Sequence, residues 1–271
     1  MPTIQFKDKE LYYEVYGQGK PLLILNGIMM STLSWKPFIQ AFSQQNQLIL
    51  MDLLDQGKST KLTDHIYNQD IQVEAVKTLI ETLNLKELAL FGISYGGEVA
   101  IKFAVKYAHL VERCLFFNTT AYTSEWLKEI GLAWNLASSN PENYYATTIP
   151  VIYSPSFYTR KIEWMKQRKQ TLLQVFSNQD FISAMVRLTN SANDLDERHN
   201  LGNITCPCLV VGCEHDSITP FENQKYLAQN IKNAQLVFIP DSGHASMYEK
   251  PIIFTSLVLG FVNTTQLTDV I

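Results

Sequence analysis

Apolar segments of two different periods alternate along most of this chain, and that alternation constrains the fold more than any other feature. Continuous apolar runs such as PLLILN (Pro21 to Asn26) and QLILMD (Gln47 to Asp52) are typical of strands buried on both faces. The segment DIQVEAVKTLIETLNL (Asp70 to Leu85) instead spaces its apolar residues for a helix. Strands that alternate with helices predict an α/β fold, in which helices cover both faces of a mostly parallel sheet.

The remaining segments extend this pattern toward both ends of the chain. TIQFK and LYYEVYG alternate in polarity and predict an antiparallel hairpin near the N-terminus. Further strands are predicted at LALFGI, RCLFFN, PCLVVG and QLVFIP. Further helices are predicted at WKPFIQAFSQ, GEVAIKFAVKY, Phe221 to Asn230 and Pro251 to Val262.

Between residues 119 and 203 the alternation stops, and only helical segments, loops and aromatic side chains remain. This stretch is too long for an ordinary connection. We interpret 119–203 as a helical cap inserted into a core domain that is formed by 1–118 and 204–271. Such a cap is expected over the carboxyl ends of the strands, where sheets of this class bind ligands.

Composition and charge exclude several classes of function. The net charge is −4 and no basic stripe is present, so nucleic acid is not an expected partner. No stretch approaches the roughly 20 apolar residues that span a bilayer, and MPTIQFKDKE lacks the features of a secretory signal. The four cysteines form no CxxC pair, so we predict buried apolar thiols, no metal site and a reducing, cytoplasmic location.

The stretch LALFGISYGGEVAIKF contains the candidate nucleophile. Its residues Gly92 to Gly96 fit the pattern G-x-S-x-G between a predicted strand and a predicted helix. Small neighbours let the strand and the helix approach closely, and the central Ser94 then occupies a strained turn above a helix N-terminus that favours negative charge. The stretch lacks the Lys-Ser/Thr ending of a phosphate-binding loop, so a nucleophilic serine is predicted.

A serine hydroxyl needs a base, and the base needs an orienting acid. His244 lies in IPDSGHASMYEKP, directly after a predicted strand, and the other four histidines have no comparable placement. Asp216 lies in VVGCEHDSITP, directly after another predicted strand. The order Ser94, Asp216, His244 is the one expected around such a turn, so we predict that the three side chains converge. Asp241 is nearer to His244 in sequence, but its position after Pro240 is typical of a turn.

These motifs resemble those of the α/β-hydrolase superfamily over nearly the whole chain: GISYGG, GCEHDSITP and DSGH occur in the expected order, and DLLDQGKST follows the second buried strand. The resemblance implies that Ser94 is the nucleophile, His244 the general base and acid, and Asp216 the residue that orients His244. It further implies an oxyanion hole made by the backbone N–H groups of Ile28 and Tyr95, each worth about 3 kcal/mol in the transition state. No cofactor is implied.

The resemblance leaves more than one activity open. Its leading implication is a serine hydrolase that cleaves a small ester or thioester with an apolar acyl part through an acyl-serine. LNGIMMSTLSW and DLLDQGKS are locally similar to a branch that transfers 3-hydroxyacyl chains, which makes an acyltransferase an alternative, with an acyl carrier protein or coenzyme A as partner. The basic run RKIEWMKQRKQ is either a solvated helix face or a surface for such an acidic partner. A ligand receptor with the same fold is the third hypothesis.

Substrate contacts are expected from the loop after the first buried strand and from the cap. Met29 and Met30 are candidates because methionine adapts to irregular apolar ligands. Asn26 is another candidate, although its amide is equally suited to tying down its own loop. Of the cap aromatics, which we expect mainly to pack on the core, Trp126 is the candidate for a wall of the pocket. Glu98 lies in the first turn of the nucleophile helix, where the dipole favours an acid without any chemical role.

Overall fold

An eight-stranded sheet forms the centre of the protein in this computed structural model, which describes residues 2–63 and 66–264. The strand order is β1-β2-β4-β3-β5-β6-β7-β8. The strands are β1 (Thr3–Phe6), β2 (Lys9–Tyr16), β3 (Lys20–Leu25), β4 (Asn46–Met51), β5 (Ala89–Ile93), β6 (Arg113–Phe117), β7 (Cys208–Cys213) and β8 (Ala234–Ile239).

Strand direction follows the prediction from sequence. β1 and β2 form the predicted antiparallel hairpin, in which Thr3 pairs with Tyr12, and β2 pairs antiparallel with β4. The pairings from β4 through β3, β5, β6 and β7 to β8 are all parallel. The α/β fold with a mostly parallel sheet is therefore confirmed, and the carboxyl ends of β3 to β8 lie along one edge.

Helices cover the sheet and fill the long interval between β6 and β7. Among the described residues, none of them combines the length and hydropathy needed to cross a membrane. The α-helices are α1 (Ile39–Phe42), α2 (Asp70–Thr82), α3 (Tyr95–Lys106), α4 (Glu125–Ala137), α5 (Pro141–Thr148), α6 (Pro155–Arg160), α7 (Ile162–Phe176), α8 (Gln179–Ser191), α9 (Phe221–Asn230), α10 (Ser246–Glu249) and α11 (Pro251–Asn263).

The predicted helix WKPFIQAFSQ begins within a 3₁₀ helix, Thr32–Phe38, and continues as an α-helix only over Ile39–Phe42. Pro37 lies inside it and has no N–H to donate, which disfavours the continuous hydrogen-bond ladder of an α-helix. The difference is therefore local, and the apolar side chains of this segment still pack on the sheet.

The two faces of the sheet bury separate cores. Side chains alternate between the faces of a strand, so Leu22 and Leu23 of β3 enter different clusters. Leu22 packs in a cluster with Trp35 and with Phe254 of α11, and the rings of those two aromatics stack with their centroids 6.3 Å apart. Leu23 packs in a cluster with Val99 of α3. Burial on both faces explains the continuous apolar strands that the sequence shows.

The five helices α4 to α8 lie in the interval 119–203, which we keep as the predicted cap; its division from the core stays a prediction. Two of the contacts that attach this region to the core involve α8. Arg187 of α8 donates to both oxygens of the buried Asp55, at 2.6 and 3.0 Å, in the loop after β4. The hydroxyls of Tyr95 and Ser191 lie 2.8 Å apart and join α3 to α8.

Candidate active site

Ser94 occupies a strained turn between β5 and α3. Its φ of 54° and ψ of −125° are values that a residue with a side chain rarely adopts. The turn needs glycine on both sides, because a Cβ on Gly92 would lie 2.3 Å from the carbonyl oxygen of Gly96 and one on Gly96 would lie 2.2 Å from that of Leu25. The pattern G-x-S-x-G is thus required by close backbone approach, and it exposes the serine hydroxyl at the carboxyl edge of the sheet.

Ser94, His244 and Asp216 come together as predicted. Ser94 Oγ lies 2.8 Å from His244 Nε2, and His244 Nδ1 lies 2.8 and 2.9 Å from the two carboxylate oxygens of Asp216. An ionised carboxylate only accepts, so Nδ1 carries a proton and donates it to Asp216. Nε2 is then free to accept from the Ser94 hydroxyl, which is the arrangement that a general base requires.

Asp216 is held ionised although it is almost fully buried. Burial raises the pKa of its carboxyl, but the His244 ring and hydrogen bonds from Asn118 and Thr219 outweigh burial and hold the pKa below its usual range. The Asn118 amide donates to Asp216 at 2.9 Å and accepts from the Ser246 hydroxyl, which orients it. Sequence analysis missed Asn118; the signal available was a polar residue at the carboxyl end of the strand RCLFFN.

Two backbone N–H groups border Ser94. Ile28 and Tyr95 line the same cavity as Ser94, and their N–H groups have no acceptor in the part of the chain that the structure describes. Tyr95 begins α3, where the helix leaves its first N–H groups unpaired. Unpaired donors beside a nucleophile are suited to hold negative charge on a substrate oxygen.

The other predicted contact residues lie away from the cavity. Asn26 is fully buried, donates to the carbonyl oxygen of Met51 at 2.7 Å and accepts from Trp35 Nε1 at 2.7 Å, so it fastens its own loop. Met29 and Met30 are half-buried and pack against the two core clusters. None of the three lines the cavity beside Ser94.

Trp126 also lies outside the cavity wall. Its indole is 52% exposed, and Nε1 donates to the carbonyl oxygen of Ser217 at 2.7 Å. Trp134, which lies eight residues further along α4, is buried and lines the cavity instead. The many aromatic residues of the predicted cap indicated that some of them could line the cavity. Only the packing of α4 decides which indole lies beside Ser94.

A cavity of about 500 Å³, counting the part open to solvent, lies above Ser94. Its walls are mainly apolar and come from the loop after β3, from α4, from the end of α8 and from the loop after β7. The apolar side chains are Ile28, Leu127, Ile130, Trp134 and Ile218. A lining of this kind suits a ligand with an apolar part.

Glu98 also lines this cavity, which the sequence did not indicate. Its side chain is 5% exposed, and Gln69 Nε2 donates to its Oε2 at 2.6 Å. Burial raises the pKa of the Glu98 carboxyl to about 8, against a smaller lowering by the Gln69 hydrogen bond. The position of Glu98 in the first turn of α3 predicted a favourable interaction with the helix dipole and no chemical role. In the structure Glu98 is shielded from solvent and forms part of the cavity wall.

The loop that carries His244 is attached to the cap as well as to the sheet. The N–H of Ala245 donates to the carbonyl oxygen of Ile152 at 2.8 Å. Glu249 of α10 accepts from the N–H of Ser154 at 2.9 Å and from its hydroxyl at 2.5 Å. The position of His244 therefore depends on contacts between the carboxyl-terminal loop and the segment between α5 and α6.

Asp241 occupies the turn that its sequence position predicted. Its φ is 47°, and it accepts from the Ser156 hydroxyl, Arg160 and Lys250 rather than from His244. These contacts, with Ser156 the strongest, hold the pKa of Asp241 well below its usual range. Asp216 is thus the carboxylate that bonds His244.

The basic run RKIEWMKQRKQ is largely paired within the protein. The Arg168 guanidinium lies over the rings of Trp164 and Tyr248, at 5.2 and 4.6 Å from their centroids. This favours the solvated-face interpretation over a surface for an acidic partner. Three further cations of the run form ion pairs, Arg160 with Asp241, Lys166 with Glu163 and Lys169 with Glu142.

The four cysteines are buried, as predicted. Three of them, Cys114, Cys206 and Cys208, place their sulfur atoms within 4.8 Å of one another, because Cys114 of β6 pairs with Cys208 of β7. This set of soft ligands is the one group of side chains in the described residues spaced to hold a metal ion. It lies at the amino ends of β6 and β7, at the opposite edge of the sheet from Ser94.

Comparisons with known proteins agree with this architecture. A family model described as the alpha/beta hydrolase fold matches residues 20–251. The alpha/beta hydrolase enzyme MGS-M2, from a Medee basin deep-sea metagenome library, is 44% identical over 100% of both chains, with a TM-score of 0.97.

Two further solved structures share the fold at lower identity. The enol-lactonase from Burkholderia xenovorans LB400 is 21% identical, with a TM-score of 0.84 over 97% of this chain and 100% of that one. The thermophilic esterase from Thermogutta terrifontis is 24% identical, with a TM-score of 0.82 over 97% and 100%. The resemblance inferred from GISYGG, GCEHDSITP and DSGH is confirmed, and the chain belongs to the α/β-hydrolase family.

Proposed function

We propose that this protein is a serine hydrolase that cleaves a carboxylic ester or thioester through an acyl-serine intermediate. One observation carries the proposal: an unbroken series of hydrogen bonds runs from Ser94 Oγ through His244 to the buried Asp216, and it begins at a cavity lined mainly by apolar side chains. A hydroxyl, a base and an orienting acid in this order are what nucleophilic attack on a carbonyl requires.

In the acylation half, Ser94 Oγ attacks the carbonyl carbon while His244 Nε2 takes its proton. The imidazolium that forms is stabilised by Asp216, which stays ionised because its pKa is held down. The carbonyl oxygen becomes an oxyanion, and the N–H groups of Ile28 and Tyr95 are its donors. The tetrahedral intermediate then collapses, and His244 returns the proton to the departing alcohol or thiol.

In the deacylation half, a water molecule takes the place of the leaving group. His244 removes a proton from that water, the resulting oxygen attacks the acyl carbon, and the same two N–H groups hold the second oxyanion. Collapse returns the proton from His244 to Ser94 and releases a carboxylic acid. The chain regains its starting state after each turnover, so no redox or metal step enters this sequence.

The acyl part of the substrate is proposed to lie against Leu127, Ile130 and Trp134. These side chains face Ser94 from α4, and burying an alkyl chain against them contributes about 25 cal/mol per Å² of apolar surface removed from water. The names of two structural neighbours, an enol-lactonase and an esterase, denote cleavage of the same kind of carbonyl–oxygen bond, which supports this class of substrate.

Hydrolysis of p-nitrophenyl esters from acetate to decanoate tests the proposal. We expect turnover by the wild type and a loss of at least about 10³-fold in kcat for Ser94→Ala. The matched control is Ser177→Ala, which changes an exposed serine at the end of α7 and is expected to leave the rate unchanged. Intact mass spectrometry of a slowly hydrolysed ester should show one acyl group on the wild type and none on Ser94→Ala.

Product analysis separates hydrolysis from transfer. With an added alcohol or thiol, a hydrolase still yields mainly the free acid, whereas an acyltransferase yields mainly the new ester or thioester. Equal inactivity of folded wild type and Ser94→Ala toward every ester would reject the proposal.

A further inference from the structure

Glu98 is placed to meet the acyl part of a substrate. It follows Ser94 by one helical turn, since its N–H donates to the Ser94 carbonyl oxygen at 3.1 Å, and residues four apart share one face of a helix. Its side chain lines the same cavity as Ser94, and only 5% of it is exposed. The carboxyl therefore belongs to the substrate cavity and not to the outer surface of α3.

Among the residues that the structure describes, no cation forms an ion pair with this carboxyl. Lys102, one turn further along α3, bonds instead to Asp70 at 2.8 Å and lies 3.6 Å from Glu197. The partner of Glu98 is the neutral amide of Gln69, which donates to Oε2. A buried carboxyl without a cation is more stable in its neutral form, and the raised pKa of about 8 agrees with this.

The neutral form offers one hydrogen-bond donor. Because Gln69 Nε2 donates to Oε2, Oε2 is the acceptor and Oε1 is the oxygen that is available to carry the proton. For Oε1 we find no partner in the described ranges 2–63 and 66–264. Glu98 thus offers an O–H group with no protein acceptor at a mainly apolar cavity.

The other polar side chains around the cavity differ from Glu98, because their groups are used within the protein or lie at the rim. Asn193 is exposed. The hydroxyls are used in four contacts: Thr123 donates to the Ala192 carbonyl oxygen, Thr189 to the Met185 carbonyl oxygen, Thr219 to Asp216, and Tyr95 shares a hydrogen bond with Ser191.

We propose that Glu98 forms a polar subsite that binds a hydrogen-bond-accepting oxygen, such as an ether, keto or hydroxyl oxygen, within the acyl part of the substrate. This deepens the proposed function and rests on it. An unsubstituted alkyl chain leaves the buried Glu98 donor unpaired, which costs free energy, whereas an acyl chain with an oxygen at the matching position satisfies it.

The test compares p-nitrophenyl octanoate with isosteres in which one methylene beyond the third carbon is replaced by an ether oxygen, one position at a time. We expect one isostere to exceed octanoate in kcat/KM by about tenfold in the wild type. Glu98→Gln keeps a donor and should keep that preference, whereas Glu98→Leu should lose it. Each preference is a ratio within one variant, so it does not depend on the folded fraction.

A pH series adds a readout that a merely structural role of Glu98 would not move. Deprotonation removes the donor, so the wild-type preference should fall as the pH rises through about 8, and in Glu98→Gln it should stay constant. Tyr95 is the other titratable side chain of the cavity wall, and burial raises its pKa further above the range of the series. His244 acts on the Ser94 hydroxyl with both esters, so its effect cancels in the ratio.

The outcomes distinguish this proposal from the proposed function. If octanoate forms acyl-Ser94 and turns over, but no isostere is preferred or Glu98→Leu retains the wild-type ratio, the polar subsite is rejected and the serine hydrolase stands. If octanoate neither turns over nor acylates Ser94, the proposed function fails, and the subsite fails with it.

Discussion

The turn around Ser94 and the cavity above it are held by different kinds of contact. At the turn, backbone atoms approach so closely that Gly92 and Gly96 admit no Cβ. The cavity wall is formed by side chains of α4, such as Leu127 and Trp134, which meet the core only through tertiary packing. The glycines that such close backbone approach requires give a recognisable motif, whereas the packing of side chains between distant segments gives none. We therefore expect substitutions at the turn to abolish activity and substitutions in the wall to change selectivity.

The largest expected effect is at the acid that bonds His244. Asp216→Asn keeps the size of the side chain but favours the wrong tautomer of His244, and kcat/KM should fall by about 10⁴-fold with the fold retained. The control is Asp70→Asn, at an exposed acid on α2, which should keep near wild-type rates. Ester hydrolysis measures the rates of both variants, and circular dichroism checks that the fold is retained. A loss of kcat/KM below tenfold in Asp216→Asn would show that Asp216 does not take part in the chemistry.

The next largest effect, on stability, is expected at the ion pair between Arg187 and Asp55, which attaches the predicted cap to the core. Arg187→Met leaves the carboxylate of Asp55 buried without a cation, which should lower the free energy of unfolding by about 3–5 kcal/mol. Arg198→Met is the matched control, because its partner Asp196 is exposed, and no measurable change is expected. Urea denaturation checks both, and equal stability of the two variants would contradict the prediction.

Gly96→Ala tests the turn itself. Its Cβ would lie 2.2 Å from the backbone oxygen of Leu25, which cannot move without shifting β3, so a loss of about 3 kcal/mol is expected together with reduced kcat. Gly260→Ala, in α11, meets no heavy atom within 4 Å and should instead stabilise the protein by about 0.5–1 kcal/mol. Thermal unfolding distinguishes them, and a shift of the same sign in both would refute the close-approach argument.

A smaller effect is expected at the amide that orients Asp216. Asn118→Leu removes a hydrogen bond that lowers the pKa of Asp216, so that pKa should rise. As the pH falls, activity should then be lost at a higher pH than in the wild type, with a decrease of about tenfold at neutral pH. The acid limb of the kcat/KM profile is the measurement; an unshifted limb would mean that Asn118 only supports the loop.

The smallest effect is expected in the cavity wall. Ile130→Ala enlarges the cavity beside Ser94 without touching the hydrogen-bonded residues, so the preferred acyl chain should lengthen, with rates changing by about threefold. The ester series from acetate to decanoate measures this. An unchanged chain-length profile would show that α4 does not contact the acyl part.

Much of the core could be predicted from the sequence, because its strands are buried on both faces and read as continuous apolar runs. The convergence of the side chains of Ser94, Asp216 and His244 could be predicted, since each residue follows a strand at the same edge of the sheet. Trp126 was a wrong choice of cavity wall, because the sequence does not give the rotation of α4 against the core. Glu98 was missed because its place in the cavity wall and its hydrogen bond with Gln69 join segments that are distant in sequence.

The attachment of the His244 loop to the cap has a consequence for engineering. Ala245 bonds to Ile152, and Glu249 bonds to Ser154, so His244, the proposed general base, is positioned partly by residues of the predicted cap. A chimera that exchanged the helices between β6 and β7 for those of a relative would replace one side of these contacts. Such a chimera would have to retain the segment from Ile152 to Ser154, or else carry the donor's own His-bearing loop along with its helices.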